Sequence, residues 1–401
     1  MVETMIVLEF KARATPPQAT AIDEAIRTAQ FVRNKAIRHW MDNKKVGKYD
    51  LNKLCKELAE SFPFAKKLNS MARQASAERA WSSISRFYEN CKKKINGKKG
   101  FPKFKKNSRS VEYKTTGWKL LGPKRIKFTD GFEIGELRLI GTYDLFFYNE
   151  SQIKRVRLVK RADGYYVQFC VQTDINVESI PTHNTIGLDL GLKHFITTSN
   201  GDFIESPKFY RKSERQLNKV NHKKSKKFRK GVKFQSKNYH KARKRYALKH
   251  LRVSRQRTEW LKNQALRLCQ SNDLIAYEDL NVKGLVKNRR LAKSISDAGW
   301  STFRRWLEYF ASKYGRIAVA VSPRYTSQDC SNCGTRVKKA LSVRTHVCFS
   351  CGYVEDRDVN AAINILRLGL EQIGRGTSEF TLEEIEPMAK LEQSCLVKSD
   401  R

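Results

Sequence analysis

Residues 5–14 (Met-Ile-Val-Leu-Glu-Phe-Lys-Ala-Arg-Ala) alternate between apolar and polar side chains closely enough to predict a strand. Thr15 follows as a helix N-cap, with Pro16 and Pro17 in the first turn, where their missing N–H groups cost nothing. Ile22, Ala25, Ile26, Ala29, Val32, Ala36, Ile37 and Trp40 then recur at the helical period. A second helix is expected over 51–61. A third is expected from 68 to 94, through Met71, Ala75, Trp81, Ile84 and Tyr88. Asn96-Gly97 and Gly100-Phe-Pro102 close this helical block.

From 111 to 175 the pattern changes to short runs of β-formers at Arg125–Phe128, Leu137–Ile140, Asp144–Tyr148, Arg155–Val159 and Tyr165–Val171. Gly and Asp-Gly turns separate them, which predicts a small antiparallel barrel. Residues 176–184 read as a linker. A third block opens with a strand at Thr185–Leu188 and a hairpin through Phe195–Thr198, Asn200-Gly201 and Phe203–Glu205. The stretch 211–255 is densely basic, with Glu214 its one acid. Apolar residues return at Trp260, Leu261, Ala265 and Leu268, so a long helix or helical pair leading back into the fold is expected rather than a basic tail. A strand at Leu274–Tyr277, a helix through Phe303, Trp306, Leu307, Phe310 and Tyr314, and a strand at Ile317–Val321 complete an α/β alternation. After 373 the sequence is acidic and patternless, and a disordered tail is expected.

Charge changes the picture most. Eighty Lys and Arg against forty Asp and Glu leave a formal net charge of +40. A field of that size repels itself in a compact state, so a polyanion is the natural partner, and nucleic acid is the usual one. A membrane partner lacks support: there is no basic amphipathic helix, no lipidation motif and no apolar run long enough to span a bilayer. The first residues lack a signal-peptide pattern, and nine cysteines is an odd number. Four of them form two Cys-x-x-Cys pairs, which fits a reducing compartment and a metal site, hence the cytoplasm.

Cys330-Ser-Asn-Cys333 and Cys348-Phe-Ser-Cys351 are separated by fourteen residues. Four thiolates at this spacing complete a tetrahedral Zn²⁺ site, with Gly334 and Gly352 supplying tight turns after each pair. All four positions being sulfur, the zinc is structural, and any catalyst lies elsewhere. Three acidic sites are candidates. Asp189 ends an apolar strand between glycines in Ile186-Gly-Leu-Asp-Leu-Gly191. Glu278 and Asp279 end another, Leu274-Ile-Ala-Tyr-Glu-Asp279. Asp356 and Asp358 start a helix in Glu355-Asp-Arg-Asp-Val-Asn-Ala-Ala362. Acids at strand ends and a helix start can converge on one edge of an α/β sheet, where carboxylates hold hydrated Mg²⁺ or Mn²⁺ and a phosphodiester can be hydrolysed. The residues alone leave Glu278 against Asp279 open, since strand alternation puts the two on opposite faces.

These motifs together resemble the TnpB family, RNA-guided nucleases of bacterial insertion sequences that are related to compact type V CRISPR effectors. The residues carrying the resemblance are Gly100-Phe-Pro-Lys-Phe-Lys105, Ile186-Gly-Leu-Asp-Leu-Gly-Leu-Lys193, Tyr277-Glu-Asp-Leu-Asn281, Ser294-Ile-Ser-Asp-Ala-Gly-Trp300, the paired Cys-x-x-Cys ribbon and Asp356-Arg-Asp-Val-Asn-Ala-Ala362. The resemblance implies a multidomain α/β chain with an RNase H-like (RuvC) core and the catalytic triad Asp189, Glu278 and Asp358; the second aspartate of the Asp-Arg-Asp motif is the family's usual ligand. It implies a β-barrel wedge domain in two pieces, 1–15 and 105–180, around a helical recognition lobe at 16–104. The RuvC core is then expected at 181–324 with its C-terminal helix at 356–372, the zinc-ribbon target-loading insertion at 325–355, and the tail at 373–401.

The partners implied are a guide RNA and a double-stranded DNA target, held in a monomeric ribonucleoprotein, with a short motif beside the target read by the protein. Arg73 and Gln74 are candidates for reading base edges. Lys223, Lys224, Lys226, Lys227, Arg243 and Arg245 are candidates for the guide or heteroduplex backbone. A silent RNA-guided or zinc-ribbon DNA-binding repressor, a DNA transposase and a compact type V CRISPR effector are the competing readings.

Overall fold

The computed structural model describes residues 4–95, 97–173, 179–232, 234–340 and 342–374. The chain divides into two compact units, Met1–Asp174 and Ile175–Arg401.

The first unit starts with strand β1 (Thr4–Arg13) and four helices: α1 (Pro16–Asp42), α2 (Lys48–Ser61), α3 (Pro63–Lys67) and α4 (Ser70–Lys92). Thr15 caps α1 as expected, accepting from Gln18 N while the Gln18 side chain accepts from Thr15 N. The helix expected over 68–94 is α4, and the short α3 ahead of it was not expected. Phe62 is extended before Pro63, and Leu68 and Asn69 break the chain again, with Asn69 accepting from Met71 N at 2.9 Å as the cap of α4. Proline and an N-cap asparagine reset the backbone where apolar periodicity continues across the break. Val32, Ala36, Ile37 and Trp40 pack with Leu51, Cys55, Leu58, Ala77, Ala80 and Ile84 into the helical core.

Six strands follow: β2 (Ser110–Tyr113), β3 (Trp118–Gly122), β4 (Arg125–Phe128), β5 (Gly135–Ile140), β6 (Ile153–Arg161) and β7 (Gly164–Thr173). With β1 they form an antiparallel sheet in the order β2-β6-β7-β1-β5-β4-β3. The sheet curls so that rings from distant strands share one interior. Tyr113 on edge strand β2 lies 4.9 Å from Phe128 on β4, and Trp118 on the opposite edge lies 6.4 Å from Phe169 on β7. Residues 144–148, expected as a strand, instead form a turn in which Asp144 accepts from Phe146 N at 2.9 Å. Their aromatic content mimics a strand, but Phe146 and Phe147 stay exposed and find no sheet neighbour.

The second unit holds a five-stranded sheet built from β8 (Thr185–Asp189), β9 (His194–Thr198), β10 (Phe203–Glu205), β11 (Leu274–Glu278) and β12 (Ile317–Val321), in the order β10-β9-β8-β11-β12. The first three form an antiparallel meander, and β8, β11 and β12 run parallel. Helices α5 (Phe209–Ser225) and α6 (Lys237–Ser271) are the expected basic pair. Short α7 (Val282–Leu285) and α8 (Ala292–Ala298) lead to α9 (Trp300–Lys313). Strands β13 (Thr345–Val347) and β14 (Val354–Asp356) pair on either side of Cys348 and Cys351, ahead of α10 (Arg357–Gln372).

Alternation along the strands sorts the two faces. Ile186, Leu188, Ile275 and Tyr277 pack with Leu261, Ala265, Phe303 and Leu307 of α6 and α9. Leu274, Ala276, Val319 and Val321 pack with Ile365 and Leu370 of α10. On that second face the helix comes down onto bare backbone: a Cβ at Gly187 would sit 2.1 Å from the Ala362 carbonyl oxygen, and one at Gly369 would sit 2.6 Å from Ala276 Cβ. Thr182 and His183, expected as linker, are tied down. The buried Asp273 carboxylate accepts from their amides at 3.0 and 2.7 Å and pairs with buried Arg316. Of the expected tail, Ile373 is buried against α10's core, because helical packing continues past the last periodic residue, and 375–401 lie outside the described residues.

Replacing Gly187 with alanine forces the α10 backbone away from β8. Gly187→Ala is expected to destabilise the second unit by about 1–3 kcal/mol, as overpacking does elsewhere, and to lower its urea midpoint. An unchanged midpoint would show that α10 does not need this close approach.

Candidate active site

The parallel register puts Leu188 of β8 beside Tyr277 of β11, so Asp189 and Glu278 are the next residues on adjacent strands. Both follow the alternation of Gly187 and Ala276 toward the α10 face. Ala362 touches that face at Gly187, and Asp358 lies one helical turn earlier on α10. The three acids, 89 positions apart from Asp189 to Glu278 and 80 from Glu278 to Asp358, thus meet at one end of the strands.

 The geometry also separates the neighbouring acids that the sequence left open. Glu278 is buried and accepts from Thr326 Oγ1 at 2.8 Å, whereas Asp279 turns to an ion pair with Arg304 of α9. Asp356 is the N-cap of α10, accepting from Asp358 N at 2.8 Å and Val359 N at 3.3 Å, so its carboxylate is occupied by the helix start. Asp358 is buried and pairs with Arg357 at 2.8 Å and Arg344 at 3.2 Å.

Burial, and then the negative charges of Glu278 and Asp358, hold the Asp189 carboxyl well above the usual carboxylate range; Arg357 opposes the shift and Asp356 adds to it. Burial raises Glu278 as well, against the hydrogen bond from Thr326. Acids that suppress one another's ionisation in this way make a site suited to a hard cation. The carboxylate oxygens do not all close to within 4.8 Å of one another; among the described residues that closeness belongs to the four cysteines.

Cys330 and Cys351 sulfurs are 3.8 Å apart, and Cys333 and Cys348 sulfurs 3.6 Å. Four 2.3 Å bonds to one tetrahedral ion require an edge of about 3.8 Å, so the donor set fits zinc. Gly334 and Gly352 adopt positive φ values of 76° and 72°, the turns expected after each pair. Hydrogen bonds from Thr335 pull the Cys333 thiol down to about 6, toward the thiolate a metal needs.

Several residues that fix the site had no assigned role in the sequence. Asn360 donates to Asp329 O at 2.9 Å and accepts from Ser331 N at 2.9 Å; Asn364 donates to Thr326 O at 2.9 Å and Asp329 O at 2.7 Å. These two carboxamides, one helical turn apart, tie the cysteine segment to α10. Asp297 receives the amides of Tyr210 and Arg211 at the start of α5. Asn360 and Asp297 both lie in the motifs quoted above, but nothing in their spacing says what they bond.

The basic candidates divide. Lys223, Lys226, Lys227, Arg243 and Arg245 are exposed on α5, α6 and the turn between them, while Lys224 is half-buried over the Tyr246 ring at 4.3 Å. Arg73 and Gln74 line a groove of about 550 Å³ with Asn52 and Ser70. The Arg73 guanidinium is already engaged there, donating to Ala65 O at 3.1 Å, Lys66 O at 3.2 Å and Leu68 O, and so closes the end of α3.

Known proteins of similar sequence and fold give an independent set of likenesses. A family model described as "Probable transposase" matches residues 168–289, and one described as "Cas12f1-like, TNB domain" matches residues 300–365. A Streptomyces pristinaespiralis protein named "Putative RNA-guided DNA endonuclease" is 39% identical over 212 residues, covering 52% of this chain and 51% of that protein. The chain therefore spans about half the length of that relative. The "Putative RNA-guided DNA endonuclease InsQ" of Escherichia coli K12 is 26% identical over 312 residues, 73% of each chain. Among solved structures, a Cas12f1–sgRNA–target DNA complex superposes with a TM-score of 0.56 at 11% identity, covering 90% of this chain and 98% of that one. The fold is thus the mixed α/β architecture of a compact Cas12f-type chain. By sequence, the chain belongs to the TnpB family.

A carboxyl with a raised pKa contributes stability that is complete below its unfolded value and is lost as pH rises through the folded one. At pH 7 and without divalent cations, Asp189→Asn is therefore expected to raise the melting temperature, by roughly 2–4 °C for each kcal/mol of relieved strain. The gain should shrink toward about pH 4, the unfolded carboxylate range. Melting curves in chelator that show no gain at pH 7 would remove the electrostatic account of the cluster.

Proposed function

We propose that this chain is an RNA-guided DNA endonuclease that hydrolyses phosphodiester bonds at Asp189, Glu278 and Asp358. The observation that carries the reading is the convergence of these three acids on one sheet edge, in a chain of net charge +40. So concentrated a negative site in so basic a protein is explained by a need for cations where phosphate is cut. The names borne by the relatives support the same activity.

In this reading the second unit is an RNase H-like (RuvC) core. Its antiparallel meander, followed by two parallel strands and a helix carrying the last acid, supports that assignment. The core covers 181–324 and 356–372, with a zinc ribbon at 325–355. In the first unit, 1–15 and 105–180 form the wedge and 16–104 the recognition lobe, with 373–401 as the tail. Asp189, Glu278 and Asp358 would hold Mg²⁺ or Mn²⁺, which when bound supplies the Lewis acidity that activates water and steadies the leaving oxygen. Thr326 fixes the orientation of Glu278, and the capping role of Asp356 fixes the first turn of α10 under Asp358. Cys330, Cys333, Cys348 and Cys351 would hold Zn²⁺ in a structural role.

The guide RNA selects the target by base pairing, and the exposed cations of α5 and α6 bind its backbone or that of the heteroduplex. The groove holding Gln74 and Asn52 reads the short motif beside the duplex target, with Arg73 shaping it through its backbone contacts. The particle is a monomeric ribonucleoprotein. No helix among the described residues is long and apolar enough to cross a membrane.

The test is cleavage of labelled DNA by protein purified with its own RNA. Asp189→Ala and Glu278→Gln are each expected to slow Mg²⁺-dependent cleavage by roughly a thousandfold or more, the equivalent of several kcal/mol, while RNA binding persists. Near-parental cleavage by either variant would overturn the site. Cys330→Ser and Cys348→Ser are expected to lose bound zinc by elemental analysis and to expose the ribbon to protease; full zinc occupancy in both would rule out the four-thiolate site.

A further inference from the structure

A groove of about 290 Å³ opens beside Glu278, on the side away from α10. Its walls are Leu190 beyond β8, Leu280 and Val282 beyond β11, and Trp300, Ser301 and Arg305 at the start of α9. Glu278 itself forms part of the lining, so whatever occupies the groove lies next to that carboxylate. The lining is apolar on one side and charged on the other, where Glu308 joins the arginines. Leu190, Leu280, Val282 and Trp300 are apolar, and Trp300 and Leu190 are buried. Arg304 and Arg305 add guanidinium groups, but they are not equivalent. Arg304 is neutralised by Asp279 and Glu308 and lies over the Tyr277 ring. Arg305 is exposed and bonds Ser301 O at 3.2 Å and Thr302 Oγ1 at 3.5 Å within its own helix, with no carboxylate partner among the described residues.

We propose that this groove is the subsite for the deoxynucleotide adjoining the scissile phosphate, with sugar and base against the apolar wall and the outer phosphate on Arg305. The proposal rests on the nuclease reading above. An occupant must match an apolar wall, a guanidinium at the rim with no carboxylate partner and direct access to Glu278, and a nucleotide has a group for each along one backbone. The volume sits at the lower end of the range for small-molecule sites, roughly 300–1,000 Å³, which suits one nucleoside and excludes a base pair. A base seated there cannot be paired, so the cut strand is held single-stranded at this point.

The test uses the full chain purified with its own RNA. A DNA strand carrying 5-iododeoxyuridine next to the mapped cut is bound in Ca²⁺ and irradiated, and the crosslinked peptide is sequenced. The expected crosslink is to the peptide containing Trp300. Val282→Trp, which fills the groove, is expected to weaken that crosslink and slow cleavage about tenfold, with displaced cut positions. Arg305→Ala, a surface change that does not threaten folding, is expected to raise KM for DNA about tenfold with less effect on kcat. Crosslinks confined to other peptides, or parental rates and cut positions in Arg305→Ala together with a folded Val282→Trp, would overturn the subsite. Failure of the nuclease reading is a separate outcome: the parent protein with its RNA would then show no metal-dependent cleavage at all, whereas failure of the subsite alone leaves parental cleavage intact.

Discussion

The second unit depends on one approach of backbone to backbone. Helix α10 lies against β8 where Gly187 presents no side chain to the Ala362 carbonyl, and against β11 where Gly369 meets Ala276. With a Cβ at 187 the helix would stand off, and Asp358 would rise away from the strand ends that carry Asp189 and Glu278. The glycine before the aspartate is thus a spacing device. It sets how near a helix-borne acid comes to strand-borne acids, which is the distance that cation sharing depends on.

That closeness carries an electrostatic cost, which the surroundings offset only in part. Arg344 and Arg357 pair with Asp358, and Thr326 hydrogen-bonds Glu278, yet Asp189 remains half-buried among like charges. Packing elsewhere has to hold such a group in place. The apolar faces of the sheet provide that hold, with α6 and α9 on one side and α10 on the other. The contrast with the rest of the chain is sharp in charge, since exposed lysines and arginines dominate α5 and α6.

Much of this was legible because each signal is local. The strand at β8, the hairpin after it, the cap at Thr15 and the two cysteine pairs all follow from short-range patterns. The acids were legible as strand ends and a helix start. Which of each neighbouring pair faces the cluster was not, because that depends on the α10 face and on Asp356 being consumed as a cap. The short helix α3, between Phe62-Pro63 and Leu68-Asn69, was missed because five residues are too few to show a helical period. The turn at 144–148 was missed because aromatic residues signal strands whether or not a sheet neighbour exists. Asn360 and Asn364 could not be interpreted at all: a carboxamide's partners are backbone groups about thirty residues away in sequence, and side-chain type says nothing of them.

The placement of α1 through α4 between β1 and β2 has a consequence of its own. Both ends of that helical excursion return to the same sheet, whose strands are paired independently of it. Loop-closure entropy grows only logarithmically, about 0.6 kcal/mol for each doubling of length. The sheet therefore works as a socket: chain length inserted there costs little in closure entropy, and what fixes the helices in it is the set of contacts from Glu78 to Lys114 and Arg155 and from Asp23 to Lys160 and Tyr165.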